Sequence, residues 1–105
     1  MKLPVMLTRE VNEEVADNQV FAKFLLRSLR RFDRGDWGTV CAEDAQLNSQ
    51  DLDALKQGLY GRILARYDLD LAGRNSDNSF SIYIIRSIVD EAGLQVLSVM
   101  FPHEY

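Results

Sequence analysis

Cys41 and His103 are the single cysteine and the single histidine of the chain, and together they could form a nucleophile and its base. A thiolate attacks only when a proton acceptor lies nearby, and imidazole commonly fills that role. Nothing in the spacing brings these two side chains together. A lone cysteine beside Val40 and Ala42 is typical of a small buried apolar residue, and a histidine so close to the C-terminus is expected to be solvated. We therefore predict no catalytic residue and no enzymatic activity.

A second group of polar side chains is acidic and lies in the middle of the chain: Glu43, Asp44, Asp51 and Asp53. Carboxylates of this kind bind a hard cation when several oxygens converge on one point. Their spacing lacks the regular ligand pattern and the central glycine of a calcium loop. Acids near the start of a helix also stabilise it by complementing the helix dipole. We predict no metal site and no cofactor.

Basic residues recur along one predicted helix, at Lys23, Arg27, Arg30 and Arg34, with Arg31 beside them. The first four follow one another at i, i+4, i+7 and i+11, which places them on one helix face. Such a stripe can track nucleic-acid phosphates, because each neutralised phosphate releases counterions. The net charge of -4 and the lack of a nucleic-acid reading motif argue against that use. Salt bridges to the acidic segment are the alternative interpretation.

The charges are unevenly distributed along the chain. Residues 18–34 carry five basic groups against one acidic group. The other segments are acidic: residues 1–17 carry two basic against four acidic groups, residues 35–70 three against seven, and residues 71–105 two against four. One basic helix is therefore set among acidic surroundings, which bears on partners and solubility and not on fold.

Length and composition describe one globular domain over residues 1–105. A chain of this length can bury a single core without a disulfide or a metal, and its 47% apolar and 27% charged residues exclude a disordered chain. One cysteine cannot form an internal disulfide and fits a reducing compartment. The sequence has no apolar run long enough for a membrane span and no secretory leader. We predict a cytoplasmic protein that binds no membrane, as a monomer or a small homo-oligomer.

The start of the chain predicts one strand and one long helix. Residues 3–8 have the pattern of a short strand, which Pro4 restricts to a sheet edge or a strand start. Asp17 or Asn18 then caps a helix, because either side chain can accept from the first free N–H groups. Apolar residues recur within this helix at helical spacing, so one of its faces packs on a core and another carries the basic stripe.

The long helix ends in a corner at Arg34-Gly35-Asp36-Trp37-Gly38. Glycine tolerates the backbone angles that such a turn requires, and Trp37 is expected to plug the core beside it. Beyond the corner, residues 42–47 predict a helical turn or two. Ser49 is expected to cap a further helix, which ends at Gly58.

The second half changes to the patterns of strands. Three segments predict strands. Residues 62–69 mix apolar and polar positions at strand length, residues 80–86 are rich in β-branched and aromatic residues, and residues 95–101 have the pattern of a last strand. Turn formers fill residues 72–79, which predicts a hairpin loop, and a second turn falls at residues 90–93. We predict an α+β domain in which two to three helices pack on a small antiparallel sheet of three to four strands.

Several short motifs together carry a resemblance to a known family: Arg34-Gly35-Asp36-Trp37-Gly38, Glu43-Asp44, Leu47-Asn48, Gly61-Arg62-Ile63-Leu64-Ala65-Arg66-Tyr67, Ile82-Tyr83-Ile84-Ile85 and Phe101-Pro102-His103-Glu104-Tyr105. From about residue 5 to the end, the chain resembles a family of small uncharacterised bacterial proteins that are frequent on plasmids, phages and other mobile elements. The Gly-Asp-Trp-Gly corner and the Pro-x-Glu-Tyr terminus are its most specific parts. The chain departs from the family pattern at residues 86–93, and its loop at 71–79 is longer. The resemblance implies a mobile-element context and brings no catalytic residue.

Acidity, small size and this resemblance favour a protein-binding inhibitor of a host nucleic-acid-targeting defence system, of the anti-CRISPR or anti-restriction type. In this interpretation carboxylates stand where a nucleic-acid-binding subunit of the defence complex expects DNA phosphates, and the chain itself binds no nucleic acid. The contact residues are then Asp36, Glu43, Asp44, Asp51 and Asp53. They imitate phosphate spacing only if they share one face.

The alternative is an accessory binding module that uses the basic helix on nucleic acid or on a protein partner. Its contact residues are Lys23, Arg27, Arg30, Arg31 and Arg34. A small hydrolase ranks third, because no catalytic group is recognisable.

Overall fold

The fold is α+β, and its described residues form three helices and a four-stranded sheet. The computed structural model describes residues 3–70 and 79–105. In chain order the elements are β1 (Val5–Leu7), α1 (Arg9–Asp17), α2 (Gln19–Asp33), α3 (Ala42–Lys56), β2 (Arg62–Asp70), β3 (Ser79–Ile88), β4 (Gln95–Met100) and a 3-10 turn (Pro102–Glu104). The predicted hairpin loop lies outside the described residues, apart from Ser79, which begins β3. None of the helices within the described ranges has the length and apolar character of a membrane span.

The sheet has the strand order β1-β4-β3-β2. β2, β3 and β4 form an antiparallel meander, with Tyr67 opposite Ile82 and Ile84 opposite Val99. β1 is the exception, because it runs parallel to β4, so the sheet is mixed where we predicted an antiparallel one. The physical reason lies in the chain order: all three helices separate β1 from β2, and these two strands lie at opposite edges of the sheet. A connection of that length can return a strand in either direction.

The core lies between the helices and one face of the sheet. Helix-facing residues alternate along each strand, as Ile63, Ala65 and Tyr67 of β2 do, and all three are fully buried. The helices contribute Val11, Phe21, Phe24, Leu25, Phe32 and Leu55 to the same cluster. Most of these helical residues belong to α2, which confirms the apolar face that its sequence predicts.

α1 and α2 meet at Asn18, which serves both helices. Its backbone N–H donates to the Glu14 carbonyl at the end of α1, and its side-chain oxygen accepts from the Phe21 N–H at the start of α2. The cap of α2 was predicted, but α1 itself was not. Val11 is the one fully buried residue of α1, whose first turn is capped by Thr8. A nine-residue helix with one buried side chain gives almost no apolar period to recognise.

α3 is one continuous helix, and the prediction of two helical segments divided at Ser49 was wrong. The Ser49 hydroxyl donates to the Ala45 carbonyl one turn earlier. It therefore satisfies its hydrogen bond inside the helix instead of capping a new one. The helix ends at Gly58 as predicted, where a φ of 77° permits the terminating turn.

The corner after α2 pairs with the outer edge of β2. The Thr39 N–H donates to the Arg66 carbonyl, and the Arg66 N–H donates to the Trp37 carbonyl. A Cβ on Gly38 would lie 1.8 Å from the Arg66 carbonyl oxygen, so only glycine fits there. Trp37 is 6% exposed and meets Phe32 edge-on, with 5.1 Å between the ring centres. The prediction that Trp37 plugs the core is confirmed.

α3 covers the rest of the same edge with two side chains. Asn48 is buried, accepts from the Leu64 N–H at 3.2 Å and donates to the Leu64 carbonyl at 2.8 Å. Asp51 accepts from the Arg62 N–H at 3.1 Å. Arg62, Leu64 and Arg66 alternate along β2, so their backbone groups point to the same edge. Over residues 62–66 this edge is therefore closed to a further strand.

Trp37→Ala should lower the free energy of unfolding by about 3–5 kcal/mol, because it removes a buried aromatic ring and leaves a cavity at the corner. That is a large share of the stability of about 5–15 kcal/mol expected for a small domain. Thermal melting followed by circular dichroism measures the loss. Tyr60→Ala is the matched control, because this ring is 80% exposed and its removal should change little. Equal melting temperatures for the two variants would show that Trp37 does not plug the corner.

Asn48→Ala should lower the free energy of unfolding by about 2 kcal/mol, because both backbone groups of Leu64 lose their partner. Urea denaturation measures the change. Ser49→Ala is the control, since it removes an exposed hydroxyl from the next position of the same helix. If the two variants were equally stable, the Asn48 amide would not be what holds α3 on the β2 edge.

Candidate functional site

The predicted acidic and basic faces meet at the corner, where Arg31 and Asp36 bind each other. Arg31 Nε donates to Asp36 Oδ2 at 2.7 Å, and Arg31 Nη2 donates to Oδ1 at 3.2 Å. The Gly38 N–H donates to the same carboxylate at 3.0 Å, and the Tyr67 hydroxyl donates to the Asp36 carbonyl at 2.6 Å. Two residues that were predicted for opposite binding faces therefore form one internal ion pair.

The hydrogen bonds of the corner shift the titration of its groups. The Arg31 guanidinium, and then the Gly38 N–H, hold the pKa of Asp36 below its ordinary value of 3.8. The hydrogen bonds that Arg31 donates to Asp36 raise the pKa of Arg31. Burial, with the Asp36 charge nearby, raises the pKa of Tyr67 far above its ordinary value. Asp36, Arg31 and Tyr67 therefore each keep one protonation state at neutral pH. Their hydrogen bonds stabilise the corner, and none of the three is poised for proton transfer.

The other predicted acids lie on α3 and are spread around it. Asp51 is half-buried and holds the Arg62 N–H at the edge of β2, whereas Glu43, Asp44 and Asp53 are exposed. Asp44 and Asp53 are separated by about two and a half helical turns, so they point to opposite sides of α3. The five predicted acids thus form no single patch, since two hold the fold and three are dispersed. Their part in partner binding stays a prediction.

The basic stripe consists of Lys23, Arg27, Arg30 and Arg34, all of them exposed. None of the four has a carboxylate at salt-bridge distance within the described parts of the chain. The stripe runs for about 16 Å along the axis of α2 and its C-terminal cap. Val20 and Leu26 also lie in the exposed part of α2, with 52% and 56% of their surface accessible. Four of the five predicted basic residues therefore share one open face, and Arg31 is withdrawn from it by Asp36.

A row of acids that sequence reasoning missed lies on α1. It consists of Glu10, Glu13, Glu14 and Asp17, which line a shallow depression of about 260 Å³ together with Phe101. These positions follow one another at i, i+3, i+4 and i+7, the spacing of a single helix face. Glu13 pairs with Arg9, and Glu14 accepts from the Asn18 amide. The spacing was present in the sequence, but it carries meaning only once residues 9–17 are known to be helical.

One end of the α1 row meets the C-terminal turn. His103 Nε2 lies 2.8 Å from Glu10 Oε2, and Glu104 Oε1 accepts from the Thr8 hydroxyl at 2.8 Å and from the Phe101 N–H at 2.9 Å. Burial alone would raise the pKa of Glu104, but the hydrogen bonds from Phe101 and Thr8, together with the contacts to Glu10 and His103, outweigh it and lower the pKa below its ordinary value. One ligand atom from each of Glu10, His103 and Glu104 lies within 4.8 Å of the others, so the group could hold a cation. The contacts formed here fasten the C-terminus to the start of α1.

Cys41 was predicted to be buried, and that prediction was wrong. It is exposed at the start of α3, because the chain turns outward after the half-buried Val40. His103 is exposed, as predicted, and its ring contacts Glu10. No hydrogen bond among the described residues joins Cys41 to His103, so these residues form no assembled nucleophile and base.

A cavity of about 920 Å³ opens between α2, α3 and the sheet. Its lining includes Leu29 and Phe32 of α2, Leu52 and Leu55 of α3, and Trp37. Arg86 of β3 also lines it, from a helix-facing position opposite Ile63 on β2 and Leu97 on β4. Burial lowers the pKa of Arg86, and the charge of nearby Asp33 partly offsets that shift. From the sequence we predicted only that Arg86 ends a strand, and no sequence pattern indicated a cavity.

No protein-family model, curated protein or solved structure matches this chain. The resemblance to the mobile-element family accordingly stays a prediction. The features that bear on function are the basic face of α2, the acidic row of α1 and the cavity.

Asp36→Asn should lower the free energy of unfolding at neutral pH by about 1 kcal/mol, because it removes the ionic part of a partly solvated contact. The pKa of Asp36 is depressed in the folded state, so the ionised carboxylate stabilises the fold at any pH above its unfolded pKa. That contribution is lost as the pH falls below 3.8 and through the lower folded-state pKa. The stability difference between wild type and variant should therefore shrink to zero in this acidic range.

Urea denaturation of both proteins at a series of pH values measures this difference. Asp53→Asn is the control, because this carboxylate is exposed and has no ion-pair partner among the described residues, so its removal should change the free energy of unfolding little. A difference for Asp36→Asn that stayed constant with pH would contradict the ionic contribution.

Proposed function

We propose that this protein is a binding protein and not an enzyme, and that the basic face of α2 docks on an acidic surface of a protein partner. The observation that carries the proposal is the open stripe of Lys23, Arg27, Arg30 and Arg34. These cations have no ion-pair partner in the described structure, although acids are abundant elsewhere on the molecule.

The positive charges of the stripe repel one another in the isolated protein. Like charges three or four residues apart repel on a helix surface and destabilise it by about 0.2–0.5 kcal/mol per pair. The stripe contains three such neighbouring pairs along α2 and its cap. An acidic partner would remove this repulsion and would gain long-range attraction on approach. The unpaired stripe is thus better suited to a complex than to the free chain.

The surroundings of the stripe favour a protein over a nucleic acid. Val20 and Leu26 are exposed on the same helix and offer apolar contact area, which protein interfaces use at their centre. The whole chain carries a net charge of -4, and the acidic row of α1 directly precedes α2 in the chain. A phosphate backbone carries negative charge along its whole length, so it would extend beyond the stripe towards these acidic regions and be repelled there, whereas an acidic protein patch of the size of the stripe would not.

The second candidate is the inhibitor that imitates DNA and binds a nucleic-acid-targeting defence protein. Its support from the geometry is the row Glu10, Glu13, Glu14 and Asp17, which shares one helix face as phosphate mimicry requires. The support for a defence system is the resemblance to proteins of mobile elements. In this candidate the partner surface is basic, so the two candidates predict partners of opposite charge.

Two matched charge variants separate the candidates. Lys23→Gln/Arg27→Gln/Arg30→Gln neutralises the basic face, and Glu13→Gln/Asp17→Asn reduces the acidic face of α1. All five side chains are exposed, so both variants should fold, which circular dichroism checks. Each protein is immobilised and exposed to a bacterial lysate at low and at raised salt, and the retained proteins are identified by mass spectrometry.

We expect acidic proteins to be retained by the wild type and by the acidic-face variant, and to be lost from the basic-face variant and at raised salt. Retention of basic, DNA-binding proteins that depends on the α1 acids would instead favour the DNA-mimic candidate. A short DNA duplex is the third probe. If the wild type shifted the duplex in a gel and the basic-face variant did not, the stripe would be a nucleic-acid surface and the proposal would be wrong.

A further inference from the structure

Arg86 is a cation at a position where the fold requires contact with apolar neighbours. Its cross-strand partners Ile63 and Leu97 belong to the core, and all three face the helices. Arg86 is half-buried, and burial disfavours a charge unless another group compensates it. No carboxylate of the described residues lies at salt-bridge distance from Arg86. We propose that the cavity above it binds a small molecule with an apolar body and one carboxylate group, which the Arg86 guanidinium holds.

The hydrogen bonds of Arg86 leave its outer end available. Arg86 Nε donates to Gln95 Oε1 at 2.9 Å, and Gln95 Nε2 donates to the Leu55 carbonyl at 2.9 Å, so the guanidinium is held from one side. Its two terminal nitrogens donate to no acceptor in the described chain. Every fully buried side-chain nitrogen or oxygen there has a partner, so these terminal nitrogens are open to the cavity.

A carboxylate fits this arrangement better than other anions of similar size. The terminal nitrogens of a guanidinium form a planar fork, which matches the two oxygens of a carboxylate. Among the described residues, the charged side chains that line the cavity are Arg86, Lys56 and Asp33, which together carry one net positive charge. A singly charged anion therefore balances the site, whereas a doubly charged phosphate would exceed it.

The walls of the cavity account for the apolar body of the ligand. Leu29 and Phe32 on one side and Leu52 on the other offer carbon surface above the guanidinium. The volume of about 920 Å³ lies within the size range of small-molecule sites, which combine apolar walls with a few polar groups. A concave space between two helices and a sheet suits a small molecule, because a flat protein surface cannot enter it.

Trp37 lines the cavity and is the single tryptophan of the chain, so its fluorescence reports on occupancy. The probes are decanoate and decan-1-ol, which share an apolar chain and differ in the charged group. Decanoate should change the fluorescence saturably, and decan-1-ol should bind at least about tenfold more weakly. Arg86→Gln should remove this preference, while Arg9→Gln, which removes an exposed charge of α1 that does not line the cavity, should leave it unchanged.

The comparison between the two probes tests the wild-type protein directly, so it holds even if Arg86→Gln does not fold. Arg86→Lys is a second variant, which keeps the charge and should lose part of the preference because it lacks the planar fork. Amide chemical shifts in the wild type should move at Leu29, Leu52 and Leu97 when decanoate is added. Equal affinity of the wild type for acid and alcohol, or shifts confined to other parts of the molecule, would overturn the proposal.

Discussion

The outward backbone groups of β2 are the constraint on which the rest of this structure depends. A strand at the edge of a sheet presents N–H and C=O groups that need partners. The Arg62 N–H donates to Asp51, and both backbone groups of Leu64 bind the Asn48 amide. Both backbone groups of Arg66 bind the backbone of the corner at Trp37–Thr39. Because these partners come from two different segments, closing the edge fixes both α3 and the end of α2 relative to the sheet. The corner and the helix are therefore positioned by hydrogen bonds, and the burial of Trp37 is added to them.

This constraint decides which charges are free to meet a partner. Asp36 binds Arg31 and the Gly38 N–H, and so shapes the segment that pairs with Arg66, while Asp51 holds Arg62 directly. Asp36 and Asp51, which we predicted to be contact residues, therefore stabilise the fold. The remaining charges segregate into a basic face on α2 and an acidic row on α1, two helices joined at Asn18. Neighbouring faces of opposite charge give the molecule an electric dipole moment, which helps to orient a charged partner before contact.

The sequence predicts those features that depend on local chemistry. Each of these features depends on residues that are close together in the sequence. They are the Asn18 cap, the apolar face of α2, the corner at Trp37 and the end of α3 at Gly58. Features that depend on distant partners could not be predicted. Ser49 has the chemistry of a cap, and only its bond to the Ala45 carbonyl shows that α3 continues through it. The five acids and the five bases were likewise predicted as two separate sets of contact residues, because an ion pair between a member of each set, such as Arg31 with Asp36, leaves no trace in either pattern.

The cavity follows from the same edge contacts. α3 is anchored over the edge of β2 by Asn48 and Asp51, whereas α2 packs on the core through its aromatic residues. The cavity lies between these two helices, and Arg86 of β3 and Leu97 of β4 are part of its lining. A large apolar residue at position 86 would close more of this space and add burial energy. Arg86 instead keeps the floor polar and the space accessible, and its partial burial carries a desolvation cost that the bond to Gln95 and the charge of nearby Asp33 partly offset. A binding role for the cavity accounts for that cost, because packing alone would favour the apolar residue.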